Sequence, residues 1–125
     1  MDALSLEDVF AAYQSHPEFL GDEIKNVNQK GAVDSTMAHI AARTGRIEHL
    51  RTLIASGADI DAIGDLGNTP LHDAAMSDQP AAVLLLLENG ADPTVLNEFQ
   101  QTALDVANLG CNVEVADLLK KFTDR

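Results

Sequence analysis

The first hydrophobic positions of the chain fall at helical intervals. Leu6, Val9, Phe10 and Tyr13 lie on one face of a helix, behind Ser5 and Asp8, which are spaced as a reciprocal N-terminal cap. A first helix is predicted over residues 6–14. His16-Pro17 ends it, and Pro17 is expected to open a second short helix through Phe19, Leu20 and Ile24. Leu50, Leu53 and Ile54 then form an inward stripe with Arg46, Glu48 and Arg51 turned outward, which predicts a helix over 47–56. Within a predicted helix at 80–89, Val83-Leu84-Leu85-Leu86-Leu87 is apolar nearly all round, as befits a helix flanked on both sides, and Leu86 is the expected centre of the core. Shorter alanine-containing helices are predicted at 37–43, 70–76 and 103–109, and a last one at 113–122. Gly57 and Gly90 follow apolar runs at the place where a left-handed residue stops a helix.

These segments recur in register. Asn68-Thr69-Pro70-Leu71-His72-Asp73-Ala74-Ala75 is preceded by Thr36-Met37-Ala38-His39-Ile40-Ala41-Ala42 and followed by Thr102-Ala103-Leu104-Asp105-Val106-Ala107-Asn108, with the threonines 33 residues apart. The same offset aligns Leu53, Leu86 and Leu119, and pairs Gly57-Ala58-Asp59 with Gly90-Ala91-Asp92. Thr69 can cap a helix and Pro70 suits its first position, where a backbone donor would go unpaired. Ala74 and Ala75 leave room for a neighbouring helix. Each unit therefore reads as helix, turn, helix, loop.

Period and letters together resemble the ankyrin repeat, with its T-P-L-H-x-A core. Thr69 to Ala75 matches that core; Met37 and Ala38 depart from it in the first copy, and Asp105 and Asn108 in the last. The resemblance covers roughly residues 26–125 and implies an all-α ankyrin-repeat solenoid of stacked helix-turn-helix pairs with projecting β-hairpin-like loops. It implies one domain over 1–125: a degenerate capping unit at 1–30, then repeats at 31–63, 64–96 and 97–125, the last acting as C-terminal cap. Asp2, Glu7, Asp22 and Glu23 at one end, and Lys120, Lys121 and Arg125 at the other, suit water-facing ends of a stack.

What the resemblance further implies is a binding scaffold whose partner lies along the loop tips and the concave face of the first helices. Carried over by register, the tips are Ala32, Val33 and Ser35, then Asp65, Leu66 and Asn68, then Glu98, Phe99 and Gln101; the concave positions are Arg43, Thr44, Met76, Ser77, Leu109 and Gly110. Leu66, Phe99, Met76 and Leu109 are expected to form an apolar patch bordered by Asp65, Asp73 and Glu98, the pattern of a partner site. The alternative is that Leu66 and Phe99 pack against each other between neighbouring loops.

Composition changes the picture mainly through charge. No lysine or arginine occurs between Arg51 and Lys120, and eleven of the twelve net negative charges fall in that interval. Such a surface repels nucleic acid; it either keeps the domain soluble or steers a basic partner. The 46% hydrophobic content with 4% aromatic suggests an aliphatic core. No run reaches the roughly 18 apolar residues of a membrane span, and the acidic start at Met1-Asp2-Ala3 is unlike a secretory signal. A single cysteine, Cys111, fits a reducing compartment. The expectation is a cytoplasmic protein, monomeric when free, with no cofactor.

Candidate chemistry is thin. His39 and His72 recur at one repeat position as a metal or catalytic pair would, but an imidazole at that place in the resembled repeat can use both ring nitrogens to bond the neighbouring loop backbone. Asp59 to Asp65 superficially suggests a calcium loop, yet Ile63 falls on a ligand position and Pro70 where the bidentate Glu belongs. Cys111 has no histidine nearby in sequence, and no phosphate loop, CxxC or HExxH occurs. The reading is a non-enzymatic protein-interaction module; the alternative is a stoichiometric inhibitor, of immunity or antitoxin type, of a basic enzyme such as a nuclease.

Overall fold

The computed structural model describes residues 4–123, so Asp2 and Arg125 lie outside the described residues. Its helices are α1 (Leu6–Gln14), α2 (Met37–Thr44), α3 (Ile47–Ala55), α4 (Pro70–Met76), α5 (Pro80–Glu88), α6 (Ala103–Leu109) and α7 (Val113–Thr123). Every predicted α-helix from α2 onward is present within one residue of its expected ends, and α1 matches throughout.

Helix starts follow from side-chain chemistry. The first helix of each repeat opens on a reciprocal box in which Thr36, Thr69 or Thr102 accepts from the N3 backbone while the N3 side chain, His39, His72 or Asp105, accepts from the threonine N–H. Ser5 and Asp8 do the same for α1. The turn to the second helix is closed by Arg46, Gln79 and Asn112 donating to Ala41, Ala74 and Ala107, each at 2.9 Å. It passes through left-handed backbone at Gly45, Asp78 and Cys111. A β-carbon at Gly45 would also displace the end of the Gln79 side chain, whose Nε2 donates to the Arg43 carbonyl.

The helices form two layers. α2 packs on α4 and α4 on α6 in the inner layer; α3 packs on α5 and α5 on α7 in the outer. One core runs through the stack, with Leu50, Leu53, Leu71, Val83, Leu86 and Leu119 sealed from solvent, and the small Ala41, Ala74 and Ala107 sit where inner helices approach. α5 is apolar nearly all round in sequence but not buried all round: Leu84 is exposed and Leu85 half-buried, while Leu86 is fully enclosed.

The N-terminal unit departs from expectation. In place of a second short helix there is a single 3-10 turn, Pro17–Phe19. Phe19 and Ile24 are buried, but Leu20 points to solvent. α1 packs on α3, in the outer layer. Its start meets α3 where Thr52 donates to the Leu4 carbonyl at 3.0 Å, and its end where Tyr13 meets His49, so it runs against the direction of α3. The cap is thus one reversed helix and a 3-10 turn in place of the expected pair of helices, and the loop after it keeps the register, Asn28 accepting from Asp59 N–H as Asp61 accepts from Asp92 N–H.

The expected hairpin-like loops carry no strand among the described residues. Each is a tight loop whose ends are joined by a backbone bond, Gly31 to Ser35 at 2.8 Å, Gly64 to Asn68 at 2.8 Å and Asn97 to Gln101 at 3.0 Å, over a turn bond within it. Left-handed residues at Asp34, Gly67 and Gln100 turn the chain within them.

Candidate functional site: loop tips and inner-helix ends

The positions singled out in sequence resolve into two rows. Val33, Leu66 and Phe99 occupy equivalent places on successive loop tips, and Arg43, Met76 and Leu109 equivalent places near the ends of α2, α4 and α6. Leu66, Met76, Phe99 and Leu109 are 47, 53, 62 and 72% exposed, and the structure gives none of them an apolar partner in the core. The rows stand at opposite ends of inner helices seven or eight residues long, whose helical rise alone spans about 10 Å.

The tips are held by polar bonds. Glu98 N–H donates to the Leu66 carbonyl at 3.0 Å, tying the third tip to the second. Gly67 allows that approach: a β-carbon there would stand 2.9 Å from the Glu98 nitrogen. Beneath, Asn97 donates through Nδ2 to Asn68 Oδ1 at 3.0 Å, and its Oδ1 accepts from Phe99 and Gln101 N–H at 2.9 and 3.1 Å. Asn97 was not singled out in sequence. An Asn two residues before Phe99 is an Asx-turn signal, and that was the available clue.

Several expected contact residues are interior instead. Asn68 is buried, its carbonyl taken by His39 and its side chain by Asn97. Ser35, at the equivalent place, is buried too. Gln101 is half-buried and accepts from His72 and Asn97. Asp73, expected on the rim of the patch, is only 8% exposed. Its equivalents in the neighbouring repeats are Ile40 and Val106, both buried, so a carboxylate here sits in an apolar position. Desolvation, opposed by Arg43 and reinforced by Glu18 and Asp65, pushes it up to about 7. Arg43 stands 3.8 Å from Asp73 and 3.2 Å from Glu18, sharing one guanidinium between two carboxylates, while Glu18 Oε2 is buried without a partner. Comparing Ile40, Asp73 and Val106 by register would have shown this in sequence.

The remaining positions are accessible. Asp65, Glu98 and Thr44 are exposed and Ser77 half-buried. The site as built is therefore Leu66, Phe99, Asp65 and Glu98 on the tips with Met76 and Leu109 on the helices, flanked by Arg43, Thr44 and Ser77. His39 and His72 take the structural role, each bonding its own capping threonine and the next loop's carbonyl. Among the described residues no group of His, Cys, Asp and Glu is placed to hold a metal ion, and no helix is long and apolar enough to cross a membrane.

Comparison with known proteins gives a family match over residues 9–97, described as "Ankyrin repeats (3 copies)". Human SH3 and multiple ankyrin repeat domains protein 2 is 37% identical over 86 residues, 69% of this chain and 5% of that protein. Human BCL-6 corepressor-like protein 1 is 31% identical over 103 residues, 82% of this chain and 5% of that protein. Mouse protein phosphatase 1 regulatory subunit 12A is 38% identical over 88 residues, 70% of this chain and 9% of that protein. The chain spans a small part of each of these relatives.

Proposed function

Since the chain belongs to the ankyrin-repeat family, whose repeats are protein-interaction modules, we propose that it binds a partner protein through its loop tips and inner-helix ends. The observation that carries this is the pair of exposed apolar rows, Leu66 with Phe99 and Met76 with Leu109, on a scaffold already fixed by the bonds of Asn97 and Glu98. A preorganised surface loses little ordering entropy on docking. Asp65 and Glu98 beside the apolar tips supply the polar rim such sites have. The relatives named as a corepressor-like protein and a phosphatase regulatory subunit fit an interaction role for the similar stretch.

Affinity capture with the wild-type chain and with Leu66→Ser/Phe99→Ser, beside an outer-face control Leu84→Ser, tests this reading. The control should keep partners that the tip variant loses; equal capture by all of them refutes it. Salt then separates docking by the patch from charge-led inhibition of a basic enzyme. Only the latter weakens steeply with ionic strength and with Asp65→Lys/Glu98→Lys.

A further inference from the structure

At the far end of α2 from its loop tip, the reversed cap helix leaves a cleft of about 210 Å³ against the start of α3, lined by Tyr13, His16, Thr44, Arg46 and His49 over Ile40. The Arg46 guanidinium and the Nε2 atoms of His16 and His49 in it have no partner among the described residues. Arg43, Arg51 and Lys25 pair with carboxylates, but Arg46 forms no ion pair among the described residues. His16 Nδ1 accepts from the Glu18 N–H at 3.2 Å, so the ring proton sits on Nε2, from which no described residue accepts. His49 Nδ1 lies 3.0 Å from the Tyr13 hydroxyl; with that hydroxyl donating, the ring proton sits on Nε2, from which no described residue accepts either. The two rings flank Tyr13, with centroids 6.3 and 5.4 Å from it. Burial pushes the Tyr13 hydroxyl up to about 12, so it stays neutral, and no carboxylate lines the cleft.

In a chain of net charge −12, the only formal charge lining this cleft is positive, and it is not paired as Arg51 is with Glu48. We infer that this cleft binds a small oxyanion of the phosphate class, held by the Arg46 guanidinium and the Nε2 atoms of His16 and His49. The cleft is below the about 300 Å³ at which drug-sized ligands begin, which suits a single phosphoryl or sulfuryl group. Arg46 supplies the planar, permanently charged donors that such groups favour. The histidines add directional donors, and Thr44, whose hydroxyl donates to the Ile40 carbonyl at 2.7 Å, closes one wall. Burial foremost, and Arg46 next, hold His49 below its ordinary value. An anion seated between them cancels the repulsion from Arg46 and raises it.

NMR of the histidine ring protons, with inorganic phosphate titrated against chloride at constant ionic strength, tests this. The resonances of His16 and His49 should shift saturably while those of His39 and His72 stay still, and the His49 midpoint should rise. Arg46→Ala, at an exposed position outside the core, should weaken binding about tenfold or more, with Arg46→Lys between it and the wild type. A second arm uses O-phospho-L-serine. Tighter binding than phosphate identifies the source as a phosphorylated side chain, and equal binding identifies free phosphate. Absence of saturation in both arms, or shifts that survive Arg46→Ala, overturns the inference.

Discussion

His39 donates through Nε2 to the Asn68 carbonyl at 2.8 Å, joining the first helix of one repeat to the loop of the next. The opposite nitrogen decides this: Nδ1 lies 3.1 Å from the Thr36 backbone N–H, which can only donate, so Nδ1 must accept. His72 repeats the arrangement with Thr69 at 3.1 Å and Gln101 at 2.9 Å. A second ring proton would set donor against donor at Nδ1. Burial holds both rings below the ordinary value of 6.5, although the carbonyls they reach favour the charged form.

The unfolded chain therefore takes up protons on these histidines before the folded one does. The stability they confer is complete above the ordinary value of 6.5 and is lost as pH falls through the lower folded values. With the opposing Asp73 removed by Asp73→Asn, urea unfolding followed by circular dichroism should show the midpoint falling as pH drops below 6.5. His39→Gln/His72→Gln should be less stable at neutral pH, by about 1–3 kcal/mol for each pair of bonds disturbed, and should lose most of that acid slope. An unchanged slope would refute the assignment.

Asp73 acts in the opposite sense. Its carboxyl is raised from 3.8 to about 7, so the folded state holds the proton more tightly, and the associated stability is full below the unfolded value and lost as pH rises through about 7. A rise of that size corresponds to about 4 kcal/mol at most. Asp73→Asn should stabilise the protein at pH above about 7, by about 2 kcal/mol after the lost attraction to Arg43, and remove the decline between about pH 4 and 7. Urea midpoints of wild type and Asp73→Asn, compared at each pH from about 4 to 8, check this.

Leu86 and Leu84 share one helix but differ in surroundings, 0% against 37% exposed. Leu86→Ala should cost about 2–5 kcal/mol and Leu84→Ala under about 1 kcal/mol in thermal or urea unfolding. Similar costs would mean that α5 is not held between α3 and α7 as described.

Gly45, Asp78 and Cys111 share the left-handed turn between paired helices, with φ of 71, 54 and 58°. That conformation costs a side-chain-bearing residue about 1–2 kcal/mol. Asp78→Gly and Cys111→Gly should each stabilise by about 0.5–1 kcal/mol, because glycine recovers the strain but loses unfolded-chain entropy. Gly45→Ala should destabilise, since it adds strain and displaces the end of the Gln79 side chain. Differential scanning calorimetry of the three variants is the check.

Much of this was legible in the chain because helix caps and apolar periodicity are local. Thr69-Pro70 and the leucines of α5 announce themselves within a few residues. The 33-residue register then aligned the copies without any knowledge of contacts. What escaped was decided by neighbours distant in sequence. Leu20 looks helical beside Pro17 and Phe19, yet the 3-10 turn ends before it and leaves it in solvent. Asn68 and Asp73 look like surface residues by chemistry, but Asn97 covers one and the stacked inner helices enclose the other. The drift of His to Asp105 in the last repeat also has a physical reading. The carboxylate keeps the capping role, accepting from Thr102 N–H at 3.0 Å, but has no proton to pass to a following loop.

The hydrogen bonds that stitch one unit to the next mostly join residues 29 to 37 apart, from Asn28 and Asp59 to Asn112 and Ala75, with Glu18 to Arg43 at 25 and Leu4 to Thr52 at 48 where the cap joins the first repeat. No segment has to find a remote part of the chain before it can begin to order, so the search each unit faces is short. Growth proceeds by addition, as in a one-dimensional crystal. A duplicated stretch of residues 64–96 would bring its own acceptor for the unit before it and its own donor for the unit after. Splicing one in should lengthen the molecule without rethreading it.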